Sequence, residues 1–304
     1  MAQYLPFEFF DNLSEHAKSR LPVGLQITGE NDPDVLVLIR LLSGNLGIRY
    51  AGVNKKIKQE RNYFSPEFKS MGSKWGRGFS GLVGEEVTPS DVAKYIQARK
   101  FINKSFYREI IYELINYFVH RSRSSHTSAF IYLYRLLERI SYCFPLIYVS
   151  MTEDFKKTYT EVKSFFGESK EKDEKAFFKV FIDTIFAGDD VLQTTVDFSF
   201  EVHGESVDDA ARLCNAVKKV LNKEFREEGF LRDTEISMRY QNVGQFIIAV
   251  RNGFFHNLSK QNNLDAEALR DSDVLFKLIN DKCLGWIASI FLAIFSYNMS
   301  TVRE

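Results

Sequence analysis

Two stretches in the middle of the chain place apolar side chains three and four residues apart, and this pattern constrains the fold more than any other. The first set is Phe106, Ile110, Ile111, Leu114, Ile115 and Phe118, and the second is Phe130, Leu133, Leu136, Leu137, Ile140 and Phe144. The polar segment 120–126, HRSRSSH, lies between them and predicts a turn. We therefore predict two long amphipathic helices in a mainly α protein.

The first 90 residues have a different character. Residues 35–42, VLVLIRLL, predict a short apolar element, and the glycine-rich segment 71–86 predicts a loop. From Pro89 onward apolar residues return to helical spacing, with Ser90 as the expected N-cap. We therefore predict a small mixed α/β region over residues 1–90 and a helical domain over residues 91–304.

The sequence pattern predicts at least one β-strand within residues 151–230 of the helical domain. Residues 195–202, TVDFSFEV, alternate apolar and polar side chains, which is the period of a half-buried strand. A single strand is not stable alone, so we expect its partner to come from the N-terminal region or from another chain. Ser206 then caps the next helix, and two further helices are expected over residues 234–252 and 272–295.

Charge and cysteine content limit the environment and the partners of the protein. Forty basic side chains balance forty acidic ones, so no overall field attracts nucleic acid, and any such binding needs a local basic patch. Cys143, Cys214 and Cys283 lie far apart in apolar helical patterns, which favours buried reduced thiols and a cytoplasmic protein. The N-terminus has no basic start followed by an apolar run, so we expect no signal peptide.

Residues 283–302 are the one candidate for a membrane span. They carry no charged side chain and are long enough to cross a bilayer of about 30 Å. Small polar side chains dilute the stretch, namely Ser289, Ser296, Asn298, Ser300 and Thr301. A buried terminal helix of an all-α core has the same pattern, so we predict a core helix and no membrane association.

Basic and aromatic residues alternate in the N-terminal region and form a candidate nucleic-acid surface. The basic members are Lys55, Lys56, Lys58, Arg61, Lys74 and Arg77, with Trp75 among them, and Arg121 and Arg123 extend the set into the 120–126 turn. Phosphate contacts combined with base stacking hold single-stranded nucleic acid in this way. The alternative is a solvated surface loop whose aromatic residues anchor it to the body of the protein.

The segment 251–257, RNGFFHN, has the clearest chemical interpretation. Arg251 supplies a permanent cation for a phosphate, and His256 can move protons near neutral pH. Metal-free RNA cleavage needs both, because a 2'-hydroxyl must lose its proton while charge accumulates on the phosphate. Positions five apart on an unbroken helix diverge by about 140°, so we expect the Asn252–Gly253 step to kink or end the helix and bring the two side chains together.

The spacing alone is weak evidence. An arginine four to six residues before a histidine arises about once by chance in a chain of this composition, and Arg121 and His126 repeat the spacing in the 120–126 turn. Context distinguishes the later pair, since Asn252 follows the arginine directly, a predicted helix precedes it and an apolar terminal helix follows.

In this setting residues 91–304 resemble the HEPN superfamily. Its members are small helical bundles in which an Arg, often followed by Asn, Asp or His, lies four to six residues before a His. The matching residues here are Arg251, Asn252 and His256. The resemblance extends to residues 132–142, YLYRLLERISY, on the second long helix and to the apolar last helix. The fold it implies is a HEPN-like helical bundle in which about residues 151–230 are an insertion.

The resemblance also implies a function. HEPN ribonucleases cleave RNA without metal and typically form homodimers with two facing motifs, and many act in phage defence or toxin systems. Some HEPN toxins carry a tyrosine two residues after the histidine, which a partner enzyme modifies, whereas Leu258 stands at that position here. Because a toxic nuclease must be restrained, we expect residues 1–90 to sense a trigger ligand or to hold the site inactive with a regulatory partner.

Two further polar residues are candidates for support of the site. The resemblance implies that Glu138 orients Arg251 or adds a catalytic group, as acidic residues on an early helix do in some HEPN proteins. The alternative is a solvated carboxylate paired with Arg135 or Arg139 on the same helix. Asn257 either contacts phosphate or caps a helix end.

Other functions remain compatible with these residues. The helical bundle could serve as a non-catalytic RNA-binding, dimerisation or sensor module in which Arg251 and His256 only bind, or His256 could be a core histidine with satisfied hydrogen bonds. His16 and His203 lack neighbours at metal-ligand spacing. The chain has no Walker loop, dinucleotide fingerprint or nucleophile elbow, so we expect neither a metal nor a cofactor.

Overall fold

The computed structural model describes residues 7–29, 31–50, 56–152, 154–166, 174–202, 204, 206–221, 230–255, 263–264, 269 and 271–301. The protein is mainly helical, with two small three-stranded antiparallel sheets. This confirms the mainly α fold, the mixed N-terminal region and the strand within the inserted segment.

The N-terminal region contains a small sheet and a helix that is buried on all sides. Strands β1 (Phe7–Asp11), β2 (Leu46–Tyr50) and β3 (Lys56–Ile57) pair in that order, and the short helix α1 spans Glu15–Ser19. Every residue of helix α2 (Asp34–Leu42) is buried. Its one basic side chain, Arg40, forms a 2.6 Å ion pair with Asp11, because a charge withdrawn from water needs a partner.

The glycine-rich segment 71–86 is not the loop that we predicted, since helix α3 (Trp75–Val83) lies within it. Two of its glycines permit close packing. A Cβ atom at Gly76 would lie 2.7 Å from a methyl group of Leu21, and one at Gly78 would lie 2.9 Å from the Met71 sulfur. Tertiary contact therefore overrides the low helix propensity of glycine here.

The predicted long helices are present. Helix α4 (Pro89–Ala98) precedes α5 (Lys104–Ser122) and α6 (His126–Val149), so the turn between the long pair is shorter than the polar segment 120–126 suggested. The N-cap of α4 is Thr88 rather than Ser90, because Thr88 forms a reciprocal capping box with Asp91.

Within residues 151–230, predicted to be an insertion, the structure describes helices α7 (Phe155–Phe166), α8 (Glu174–Ile185) and α9 (Val207–Val220), with strand β4 (Thr195–Ser199) between the last two. Strands β5 (Phe230–Leu231) and β6 (Glu235–Arg239) complete the second sheet in the order β4-β6-β5.

The pairing of this second sheet corrects two predictions. The partner of β4 is β6, which follows it in the same chain, and neither the N-terminal region nor another chain supplies it. Residues 235–239 had been assigned to a helix, but they are the strand β6. Ser206 caps α9 as predicted, and its hydroxyl accepts from the Asp209 amide.

Two helices complete the described chain, α10 (Val243–Phe255) and α11 (Ser272–Thr301). Helix α11 is long and apolar enough to cross a membrane by length and composition, but 61% of its most apolar window is buried within the protein. It packs along α6 within the hydrophobic core. Cys214 and Cys283 are buried free thiols as predicted, whereas Cys143 is half-buried.

One hydrophobic core extends from the N-terminal region into the helical bundle. Phe79 of α3 stacks on Trp75 and also contacts Phe295 near the end of α11. The boundary near residue 90 stays a prediction, but apolar packing is continuous across it.

Candidate active site

Arg251 and Asn252 lie in the last described turn of α10, where both are half-buried. Buried apolar residues at helical spacing, Val243, Phe246, Ile247 and Val250, fix this helix against the bundle. An Arg251 Nη1 hydrogen donates to the Asn252 side-chain oxygen over 3.0 Å. The guanidinium also lies 4.7 Å from the centre of the Tyr134 ring on α6, a distance typical of a cation–π contact.

Gly253 does not kink or end the helix as we predicted, because α10 continues to Phe255. Its role lies in packing. A Cβ atom at this position would lie 2.6 Å from Val220 Cγ1 at the end of α9, far inside normal carbon–carbon contact. The glycine therefore lets α9 approach α10 directly beside Arg251 and Asn252.

The chain after α10 returns to the end of the helix. The Leu264 amide donates to the Gly253 carbonyl over 2.8 Å, which satisfies one of the carbonyls that a helix end leaves without an intrahelical partner. His256 and Asn257 fall in the segment between these two residues and lie outside the described residues. In sequence His256 directly follows Phe255, the last described residue of α10.

Glu138 is exposed on α6, one turn after the Tyr134 that contacts Arg251. Both side chains line a small pocket of about 60 Å³ between α6, α8 and the start of α10. The predicted pairing of Glu138 with its helix neighbours is wrong, since Arg135 and Arg139 both turn to buried Glu113 on α5, at 2.9 and 3.0 Å. The Glu138 carboxylate thus shares a face of α6 with the aromatic partner of Arg251.

The structure removes one aromatic residue, Trp75, from the candidate nucleic-acid surface. Trp75 is fully buried, with Arg40 4.5 Å from its ring and its indole nitrogen donating to Ser43. It therefore cannot stack on a base, and its assignment to a binding surface is wrong. Lys56, Lys58, Lys74, Arg77 and Arg123 are exposed, and Lys55 lies outside the described residues.

Arg61 and Arg121 are the two members of this set that the fold brings together, although they are far apart in sequence. Both pair with Asp281 on α11, Arg61 through Nη1 at 2.5 Å and Arg121 through Nε and Nη2 at 3.1 Å. The hydroxyls of Tyr63 and Tyr117 donate to the same carboxylate over 2.6 and 3.1 Å. Burial, strengthened by this carboxylate, raises the pKa of both tyrosines.

His126, the histidine of the second Arg–His pair, lies in the same neighbourhood as Arg121. It is the first residue of α6, and its carbonyl accepts from Asn280 of α11 over 2.9 Å. Burial lowers the pKa of its imidazole, Arg121 and Lys277 lower it further, and Asp273 and Asp281 oppose them. Arg121 and His126 therefore line one basic pocket. This pocket is a different site from the contact between Arg251 and Tyr134.

Sequence reasoning missed Tyr134 and Asp281. Tyr134 had a usable signal, because it lies four residues before Glu138 and thus on the same helix face. Asp281 had none, since the arginines it binds are 160 and 220 residues away.

No family model matches the chain, and no curated protein or solved structure is significantly similar to it. The motif and the surrounding geometry are therefore the grounds for assigning a function.

Proposed function

We propose that this protein is a metal-independent endoribonuclease of HEPN type that acts in the cytoplasm, in phage defence or as a toxin. The observation that carries the proposal is the setting of Arg251. Its guanidinium is half-buried, bonded to Asn252 and stacked on Tyr134, at the helix end that directly precedes His256. An arginine held in this way suits a scissile phosphate, because a planar guanidinium binds two phosphate oxygens at once. His256 follows five positions later in the sequence.

The reaction uses the ribose itself as the nucleophile. A base removes the proton of the 2'-hydroxyl, the 2'-oxygen bonds to the adjacent phosphorus, and the bond from phosphorus to the 5'-oxygen breaks. An acid gives that leaving oxygen its proton, so the products are a 2',3'-cyclic phosphate and a 5'-hydroxyl. We assign proton transfer to His256 and stabilisation of the phosphate charge to Arg251. Asn252 holds the guanidinium in place.

A second copy of the chain would supply the other proton-transfer group. The exposed face of α6 offers a docking surface for it, because Ile131, Tyr142 and Leu146 are 40%, 44% and 62% exposed there. At about 100° per residue, Tyr134 lies about 60° around the helix from Ile131. Arg251, which contacts Tyr134, therefore lies at the edge of this apolar face, where a partner's motif can approach it.

The test is RNA cleavage by the purified protein in excess EDTA. We expect cuts that leave 2',3'-cyclic phosphate ends, and we expect Arg251→Ala and His256→Ala each to abolish both cutting and toxicity to a host cell. Matched controls are Arg239→Ala and His16→Ala, which remove the same side-chain types from exposed positions elsewhere. Equal cutting by the wild type and both motif variants would refute the proposal. RNA that binds but stays intact would instead assign the protein to non-catalytic RNA-binding modules.

A further inference from the structure

An open pocket of about 400 Å³ lies between the turn that joins α5 to α6, the segment after β3 and the start of α11. Its charged and titratable walls are Arg61, Arg121, His126, Lys277, Asp281 and Lys282. These residues come from distant parts of the sequence, so the fold assembles the pocket. Its volume falls within the range of about 300 to 1,000 Å³ that is common for sites of small ligands.

The floor of the pocket is held in a fixed arrangement by Asp281. This carboxylate is only 14% exposed and receives donors from Tyr63, Tyr117, Arg61 and Arg121. Arg121 uses Nε and one terminal nitrogen in the pair, and its other terminal nitrogen has no acceptor among the residues that the structure describes. The carboxylate therefore orients both guanidinium groups without using all of their donors.

Positive charge exceeds negative charge in this pocket. Four basic side chains line it against the single carboxylate of Asp281, which leaves an excess of three positive charges when His126 is neutral. Lys277 and Lys282 have no ion-pair partner among the residues that the structure describes. Because a concave cluster of like charges raises the local potential, it favours a multiply charged anion.

Phe68 adds an unusual backbone conformation at the rim. It adopts a φ of +56°, a region that bulky side chains rarely occupy because it strains the backbone. Its ring contacts Tyr63 and lies 5.9 Å from the Arg61 guanidinium and 5.8 Å from the Lys282 ammonium. The ring thereby holds one cation from the N-terminal region and one from α11 near each other.

We propose that this pocket binds a small anion that carries a diphosphate group, either free or as part of a nucleotide. A diphosphate carries about three negative charges near neutral pH, which matches the excess charge of the lining. Guanidinium groups and lysines are the side chains that bind phosphate oxygens most strongly. The ligand would bridge Arg61 of the N-terminal region to Arg121 and the lysines of the helical bundle. Binding here does not depend on ribonuclease activity.

The test uses isothermal titration calorimetry of the full chain with inorganic pyrophosphate and with ADP, at constant ionic strength. We expect saturable binding of both by the wild type. The double variant Lys277→Gln/Lys282→Gln should bind at least about tenfold more weakly, since two of the four cations are lost. The control Lys94→Gln/Lys156→Gln removes two exposed lysines from other helices and should bind like the wild type. Neither pocket lysine forms an ion pair with a residue that the structure describes, so both variants should fold without ligand. Loss of the Lys282 contact with Phe68 should change the unfolding temperature only slightly.

Three results would overturn the proposal. The wild type could fail to bind either anion, or the control could weaken binding as much as the pocket variant, which would indicate a general charge effect. The third concerns the source of the phosphate and uses direct titration with a single-stranded DNA oligonucleotide. If the oligonucleotide binds the wild type but not the Lys277→Gln/Lys282→Gln variant, while ADP binds neither, the pocket is part of a nucleic-acid surface.

Discussion

Replacing Gly253 by alanine tests whether this glycine serves packing or helix geometry. Alanine is favoured over glycine within a helix by about 0.5 to 1 kcal/mol, so helix propensity alone predicts a gain in stability. The new Cβ, however, would lie 2.6 Å from Val220 Cγ1 and 3.0 Å from Val220 Cβ. To relieve this steric clash, α9 or α10 must shift by about 1 Å, and overpacking of this kind costs about 1 to 3 kcal/mol of stability. The net expectation is a loss of about 1 kcal/mol.

Two further variants isolate the contact. Gly81→Ala in α3 is the matched control, because a Cβ there meets nothing within 4 Å, and it should raise the free energy of unfolding by up to about 1 kcal/mol. In a Val220→Ala background the two γ-methyl groups are gone, so Gly253→Ala should become close to neutral. The resulting coupling energy should be about 1 to 2 kcal/mol.

The measurement is urea unfolding followed by far-UV circular dichroism for the two single variants, their double variant and the control. If Gly253→Ala stabilises the protein as much as Gly81→Ala does, α9 and α10 do not make the close contact described here. A Gly253→Ala effect that is the same with and without Val220→Ala would refute the steric explanation while leaving the loss of stability unexplained.

Three other perturbations follow from the same contacts. Leu146→Glu should weaken the proposed self-association at least about tenfold. It should not destabilise the monomer, because this side chain is 62% exposed. An unchanged mass in light scattering after size exclusion would exclude the α6 face as the dimer surface. Glu113→Gln should lower the free energy of unfolding by about 1 to 3 kcal/mol, because the buried Glu113 carboxylate pairs with two partly exposed arginines. A loss below about 0.5 kcal/mol in urea unfolding would contradict this expectation. Burial lowers the pKa of His126 in the folded protein below its usual value of 6.5. The folded protein therefore has its full stability above pH 6.5, where the imidazole is neutral, and loses part of its free energy of unfolding as the pH falls through the folded-state pKa. The difference in unfolding free energy between wild type and His126→Asn should therefore shrink on acidification from pH 7.5 to 5.5, and a constant difference would count against it.

Local patterns predicted the elements that depend on local interactions. The apolar stripes of α5 and α6 specify amphipathic helices because each residue's burial repeats with the helical period. The Ser206 cap and the alternation of β4 were equally visible. Thr88 and Ser90 are both residue types that cap helices. Thr88 caps α4 because its hydrogen bonds with Asp91 form in the folded chain.

The sequence by itself determined the helical character of the protein and the spacing of Arg251, Asn252 and His256 within one short segment. Both depend only on residues that are close together in the sequence. Only the tertiary structure decided what these residues contact. It placed Tyr134 beside Arg251, buried Trp75 within the core and brought Arg61 and Arg121 to one carboxylate. Such contacts join residues tens to hundreds of positions apart, and their energies depend on burial and distance in the folded chain, which no local spacing encodes.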